Sequence, residues 1–538
     1  MPSRRLFLLP CLWLLLPSGN AAKAARPIPQ LEHVGEHYAL LVDGHPFLIL
    51  GGQAHNSSAT NTQDLELVWQ ALVKIHANTA EIPIYWELIE PEPGKFDFHL
   101  VDEILAGARR NNLRLVLLWF GAWKNGEMHY APEWVKRDPA RFRRVKGPRG
   151  EELEILSPLC EAAKHADAKA FEAVMRHLAT VDEADRTVIM IQVENETGFL
   201  GTDRDYSEEA TRLFSGAVSP ELTHYLYGNR NQLTRSMRTA WAGAGYHISG
   251  TWAEVFGALA PEVFSAWCMA QYVDAVAASG KQAYPLPMYV NNWLINPGNE
   301  RAGRWPSGGP TEHVLDVWKA AAPHIDLLAP DIYLPKFYET CVQYTRPDNP
   351  LFVPETRASG RNSGYAFLVL AGFNGLGVSP FGVDGPEFVT HGALNEDGEE
   401  FAATYGVLEP LLRLVASRRY KGSMRAIVQD EDDGQAIPLN AGLSAVVEFT
   451  KPYRPDSPVG QGMIVQLGDG DFLVAGARFR LSFRELEGPP REAPILSLEE
   501  GTFEGERWVP VRRLNGDELD VSFFEKPRVL RVRLMTGP

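Results

Sequence analysis

Between residues 46 and 418 the chain alternates short apolar runs with amphipathic helical stretches, and this alternation constrains the fold more than any other feature. The apolar runs lie at 46–51, 79–85, 113–119, 188–193, 287–292, 326–330, 350–354 and 375–381. Helical periodicity follows at 63–77, 100–111, 164–180, 311–322, from about 363, and at 397–418. An irregular stretch with helices at 219–244 and 260–279 separates the fourth run from the fifth. In 63–77, for example, Leu65, Trp69, Leu72 and Ile75 fall on one face. Strands that are apolar on both faces belong to parallel sheets covered on both sides. Eight strand-then-helix units of this kind predict an α/β fold, a (β/α)8 TIM barrel over residues 38–418.

After about residue 420 the pattern changes to strand-like runs at 425–429, 443–450, 463–467, 472–483, 508–513, 519–523 and 528–534. Gly468-Asp469-Gly470-Asp471 is a hairpin signal. Residues 419–538 therefore read as a C-terminal all-β sandwich domain. Asp430, Glu431, Asp432 and Asp433 lack the spacing of a calcium loop and read as a solvated turn.

The first 24 residues form a separate piece. Arg4 and Arg5 precede an apolar run ending at Leu16, then Pro17-Ser18-Gly19 and the small residues around Ala22-Lys23-Ala24. This is the layout of a secretory signal peptide, and the run is too short to span a bilayer comfortably. The expectation is an exported chain, periplasmic or secreted, with residues 25–37 as a lead-in and no integral membrane span. Cleavage would remove Arg4, Arg5 and Lys23 and take the formal charge from −16 to −19. An acidic chain is a poor partner for a phosphate backbone, so nucleic acid is excluded as the main ligand. Cys160, Cys268 and Cys341 remain; their odd count leaves at least one unpaired, no metal-ligand spacing involves them, and all three read as buried structural cysteines.

Barrel enzymes carry their chemistry at the C-terminal ends of the strands. Two strand ends supply carboxylates there. The fourth runs into Glu194-Asn195-Glu196-Thr197-Gly198, and the seventh into Glu355-Thr356-Arg357. Two carboxylates facing one another suit glycoside hydrolysis, in which one protonates the leaving oxygen and the other attacks the anomeric carbon. Glu194 and Glu196 share a strand face by period two, and Asn195 directly before Glu196 selects Glu196 as the acid. No nucleophile elbow, H-E-x-x-H, P-loop or dinucleotide fingerprint appears, and no metal or cofactor is required.

These residues resemble the clan A glycoside hydrolases, and family 35 β-galactosidases in particular. Gly51-Gly52-Gln53-Ala54-His55 resembles that family's strand-one motif. Asn78-Thr79, Tyr85-Trp86-Glu87 and the stretch from Glu90 to Phe98 resemble its second-strand region. Trp119, Gly121 and Trp134 match its strand-three loop, and Gln192-Val193-Glu194-Asn195-Glu196 resembles its acid/base motif, with Thr197 where an aromatic is usual. The 159-residue spacing from Glu196 to Glu355 resembles bacterial members and approaches family 42. The C-terminal domain is similar to an uncharacterised one that follows this barrel in such members.

The resemblance implies a retaining exo-acting β-galactosidase that removes terminal galactosyl residues from a β-galactoside-containing oligosaccharide or polysaccharide. It implies Glu196 as acid/base and Glu355 as nucleophile. Asn195 would bind the 2-hydroxyl, and Glu194 would bind a sugar hydroxyl or orient its neighbours. Tyr333 would hydrogen-bond the nucleophile or be a core tyrosine, and Asn292 would bind sugar or serve a loop. Trp86, Trp119, Trp123 and Trp293 are candidate stacking platforms, of which one or two would serve. The alternatives are another clan A β-glycosidase (family 42-like β-galactosidase, β-glucanase or β-mannanase) or a carbohydrate-binding barrel without chemistry. The β-domain would brace the barrel or bind polysaccharide.

Overall fold

A computed structural model describes residues 26–535 apart from 36, 430–433, 440–441, 452–453, 455–456 and 487–490. The signal-peptide reading and the acidic turn at 430–433 lie outside the described residues. Eight parallel strands close into a barrel. They are β1 (Ile49–Gln53), β2 (Thr79–Tyr85), β3 (Arg114–Phe120), β4 (Val188–Val193), β5 (Met288–Trp293), β6 (Leu327–Ile332), β7 (Val353–Thr356) and β8 (Gly377–Pro380). All but Arg114 and Trp293 are buried along their length, as strands wedged between a packed lumen and outer helices must be.

The helix Thr62–Lys74 illustrates how local sequence sets the outer ring. Asn61 caps it by accepting from the Asp64 amide, and Leu65, Val68, Trp69 and Leu72 are buried on its inner face. β1 needs glycine where it approaches β8. A Cβ at Gly51 would lie 2.0 Å from Ser379 Oγ, and that hydroxyl is already committed to Glu81.

Several expectations shift in detail. The lead-in is ordered: Gln30–Val34, His37–Val42 and His45–Pro46 form a three-stranded sheet. A short antiparallel pair, Arg144–Lys146 with Glu152–Leu156, and the helices Glu208–Phe214 and Phe337–Tyr344 were not read from the sequence. Glu355 lies within β7, one residue before its end, rather than after it.

The C-terminal region is a sandwich of two sheets. One has six strands, in the order Met424–Val428, Gln461–Gly468, Asp471–Ala477, Arg528–Leu534, Ile495–Glu504 and Arg507–Leu514. The other holds Gly434–Pro438, Leu443–Phe449, Phe479–Glu485 and Arg491–Glu492, with Ser522–Phe523 against Phe479–Glu485. The run expected at 472–483 as one strand is two, because Arg478 takes φ 65° and passes the chain from one sheet to the other. Gly434–Pro438 and Ile495–Glu504 were missed.

The central strands of the six-stranded sheet are buried on both faces, while the edge strand Arg507–Leu514 is largely exposed. Ile464, Phe472, Val474, Leu530 and Val532 face the second sheet, while Met463, Val465, Leu473, Ala475 and Val529 join the barrel core. Gln461 donates to Ser363 Oγ (3.2 Å), and buried Arg478 pairs with Glu400 on the barrel's helix Glu396–Leu408. The alternation that makes a strand two-faced thus bolts this domain to the barrel. The three cysteines are buried and unpaired. No helix among the described residues is long and apolar enough to cross a membrane.

Candidate active site

The strand ends surround a cleft of about 390 Å³ at the C-terminal mouth of the barrel, lined among others by Asn56, Lys124, Asn125, Glu196, Trp293, Asp331, Tyr333, Glu355 and Arg357. Glu355 projects into it from β7 and is surrounded by donors. Gln53 Nε2 and Asn291 Nδ2 donate to its Oε1 at 2.9 and 3.4 Å, Asn195 Nδ2 approaches the same oxygen at 3.5 Å, and Tyr333 OH donates to Oε2 at 3.0 Å. Such a ring of donors fixes the orientation of the Glu355 carboxylate in the cleft. Burial and the neighbouring carboxylates push the Tyr333 phenol well above its ordinary range, so it stays a donor.

Glu196 faces Glu355. Its amide donates to Asn291 Oδ1 (3.0 Å), and Asn125 Nδ2 donates to its Oε2. Burial, then the charge on Glu355, raises its carboxyl to about 7, against the opposing pull of Lys124 and of hydrogen bonds from Asp331 and Asn125. A group poised near neutrality can both give and take a proton.

Asp331, at the inner face of β6, completes the cluster. One oxygen from each of Glu196, Asp331 and Glu355 lies within 4.8 Å of the others. Burial, then the charges of Glu355 and Glu196, push Asp331 well above the carboxylate range. Asn291 Nδ2 donates to its Oδ2 (2.8 Å), while Oδ1 meets no donor, as suits a carboxyl that keeps its proton and donates to Glu196. Among the described residues these three form the group whose spacing could hold a cation. Protonation of Asp331 and the donors crowding Glu355 make it a poor cradle for one. Deeper in the lumen, Glu81 is pushed well above the carboxylate range by burial and bonds to Ser379 and Tyr289 OH.

Four of the expected site residues converge here: Glu196, Glu355, Asn195 and Tyr333. Three do not. Glu194 does not share the face of Glu196, because the chain leaves β4 at Val193 and both glutamates take positive φ, 62° and 45°. Glu194 is 0 % exposed and points away from the cleft, where the Trp123 amide donates to its Oε2 (2.9 Å). There it is hydrogen-bonded to Asp167, and burial and the Asp167 charge hold it well above the carboxylate range. Asn292 faces outward and bonds Tyr344 OH, because parity on β5 turns Tyr289, Asn291 and Trp293 inward. Trp86 is 0 % exposed, with its indole N–H on Glu90 (3.0 Å) and its ring edge-on to Trp134. Trp119 and Trp123 are likewise buried, donating to Asp167 and to the Leu156 carbonyl. Of the four tryptophans, Trp293 lines the cleft.

Asn291, Asp331, Gln53 and the Lys124-Asn125 pair were not expected in these roles. Strand parity carried a usable signal for two of them. Asn291 is two residues from Tyr289, and Asp331 is two from Tyr333.

Residues 39–251 match the model of glycosyl hydrolases family 35. That match spans the first four strands of the barrel. Residues 401–524 match a domain of unknown function, DUF5597, beginning inside the barrel's helix Glu396–Leu408. A curated relative, Beta-galactosidase-1-like protein 3 of Mus musculus, is 29% identical over 182 residues, 32% of this chain and 25% of its own. Among solved structures, Gan42B, a GH42 beta-galactosidase from G. stearothermophilus, superposes with TM-score 0.52 at 10% identity, covering 90% of this chain and 98% of that one. A beta-galactosidase from Bacillus circulans sp. alkalophilus gives TM-score 0.46 at 13% identity, over 68% of this chain and 57% of that one. The chain spans a quarter of the length of the curated relative, and at these identities the structural likeness concerns the fold alone.

Proposed function

We propose that the protein is a retaining exo-β-galactosidase that releases terminal non-reducing β-D-galactosyl residues from oligo- or polysaccharides by double displacement. The observation that carries this is the Glu196–Glu355 pair, with nearest oxygens within 4.8 Å at the mouth of a barrel whose first four strands match the family 35 model. Retaining enzymes hold their carboxyls ~5–5.5 Å apart, whereas an inverting pair needs ~6.5–9.5 Å to admit a water between them. The name of the mouse relative supports galactose as the sugar.

In the first step Glu196 gives its proton to the glycosidic oxygen while Glu355 attacks the anomeric carbon. The bond to the aglycone breaks and an ester to Glu355 forms. In the second step Glu196, now a carboxylate, takes a proton from water, whose oxygen attacks the same carbon and releases Glu355. Asn195 Oδ1, buried and without a partner, is available to accept from the 2-hydroxyl, and Gln53 Oε1 offers a second open acceptor. Trp293 supplies an apolar wall for the sugar ring.

The test is hydrolysis of an aryl-glycoside panel with the first-formed anomer followed by NMR. The expected result is β-galactoside cleavage with β-galactose appearing first. Cleavage of β-glucoside or β-mannoside but not β-galactoside, or α-galactose appearing first, would overturn it. The leader-like residues 1–24 support an exported location, which N-terminal sequencing of the protein recovered outside the cytoplasm would check.

A further inference from the structure

Immediately after β3 the chain makes a two-residue reversal, Lys124-Asn125-Gly126-Glu127. The Lys124 amide donates to the Glu127 carbonyl (2.8 Å), and the Glu127 amide donates back to Lys124 (3.1 Å). Asn125 and Gly126 take φ 54° and 72°, so both central residues are left-handed, the geometry of a type I′ turn and the one that an Asn-Gly pair adopts most readily. This turn forms one wall of the cleft and presents two consecutive side chains to it. Asn125 donates to Glu196. Lys124 is 3 % exposed, its ammonium lying over the Phe120 ring at 5.2 Å from the centroid. Among the described residues no carboxylate forms an ion pair with that ammonium, and no hydrogen bond holds it. A buried cation without a counter-ion is costly; buried Arg478 pairs with Glu400, whereas among the described residues buried Arg186, Arg204 and Arg419, like Lys124, show no ion pair.

We propose that Lys124 is a positioning residue for the acid/base, a fixed positive charge which the Asn125-Gly126 turn holds beside Glu196 so that Glu196 can carry a negative charge in the second step. This rests on the glycosidase reading of the cleft. The other groups facing Glu196 explain the need. Glu355 from β7 repels a charge on Glu196 until it is esterified. Asp331 from β6 and Asn125 from the turn contribute hydrogen bonds, and Tyr333 adds a neutral phenol. Of the two cations lining the cleft, Lys124 and Arg357, Lys124 is the one that opposes the upward pull of burial on Glu196.

The test reads Glu196 itself. The full chain would be labelled with carboxyl-13C glutamate, the Glu196 signal assigned by its loss in Glu196→Gln, and its titration followed in the parent, Lys124→Met and Lys124→Arg proteins. Removing a nearby positive charge makes ionisation harder, so the Glu196 midpoint should rise in Lys124→Met, by about half a pH unit or more. It should stay near the parent value in Lys124→Arg. The alkaline limb of kcat/KM should move upward in parallel. A folded Lys124→Met protein with an unmoved midpoint would overturn the proposal. So would a Lys124→Arg protein shifted as far as Lys124→Met, since the role would then be packing. A parent protein that cleaves no β-glycoside leaves the titration readable and counts against the glycosidase reading instead.

Discussion

Glu194 and Glu196 stand two residues apart at the end of the same strand, and each is buried against another acid. Glu194 meets Asp167 behind the strand, in a closed pocket where Trp119 Nε1 (2.9 Å) and Tyr272 OH (3.1 Å) donate to Asp167 and the Trp123 amide donates to Glu194. Glu196 meets Glu355 and Asp331 in an open cleft, with acceptors on Asn195, Gln53 and Asn56 left without partners. In both, burial first and then the charge of the neighbouring acid push the glutamate's carboxyl upward. The difference lies in access. The closed pair uses its proton to bond its neighbour and stiffen the strand end. The open pair keeps a proton that a ligand can reach. A perturbed acid therefore marks chemistry only where the cleft leaves it something to react with.

The comparison can be broken in several ways. The largest effect expected is from Glu355→Ala, which should lower aryl-galactoside turnover by about ten-thousand-fold or more with the fold intact by circular dichroism. Glu196→Gln should follow, at about a hundred- to ten-thousand-fold on kcat for a substrate with a poor leaving group. Glu194→Gln should stay within a few-fold of the parent, because an amide can stand in for a carboxyl that already holds its proton. Equal losses at 194 and 196 would erase the distinction drawn between them.

Asp167→Ala should act on stability instead. It strips the indole N–H of Trp119 and the phenol of Tyr272 of their acceptor, and should cost about 2–4 kcal/mol in urea unfolding. Unchanged stability would mean that the closed pair stiffens nothing.

The pH dependence separates the pairs further. Glu196 must be protonated to act as acid, and its carboxyl sits at about 7. So kcat/KM should fall as pH rises through about 7, and a limb a full unit or more lower would contradict the buried setting. A carboxyl raised on folding loses stability as pH climbs from its ordinary range towards its folded value. Glu196→Gln should therefore raise Tm more at pH 8 than at pH 5. The smallest effect concerns the tryptophans. Trp86→Phe should leave KM within about twofold, whereas Trp293→Ala should raise it several-fold. The reverse order would move the sugar site.

Much of the barrel was legible because its strands are apolar on both faces and its helices on one, patterns that local sequence records directly. Glu196, Glu355 and Asn195 were legible for a related reason, since strand ends in such a barrel converge on one mouth, whereas Tyr333 was implied by the family resemblance. Glu194 and Asn292 were misplaced because side-chain direction at a strand end depends on backbone torsions and parity that composition does not reveal. The positive φ values at Glu194 and Glu196 break the period of two at the end of β4. Trp86 was misplaced because an indole serves a core as readily as a sugar. In the β-domain the split at Arg478 is hidden because the continuous apolar run 472–477 passes directly into the alternation of 479–483.

By itself, then, the sequence determined the alternation that closes a barrel, the change to paired strands after it, and the two strand ends that bring carboxylates to the mouth. These follow from periodicity and from the chirality of the polypeptide, which act over a few residues at a time. Only the tertiary structure decided which acids are neighbours: Glu194 with Asp167, Glu196 with Glu355 and Asp331, and Lys124 beside Glu196. Burial and the approach of charges from distant segments determine where a proton resides. Those distances are set when strands far apart in the chain close around one lumen.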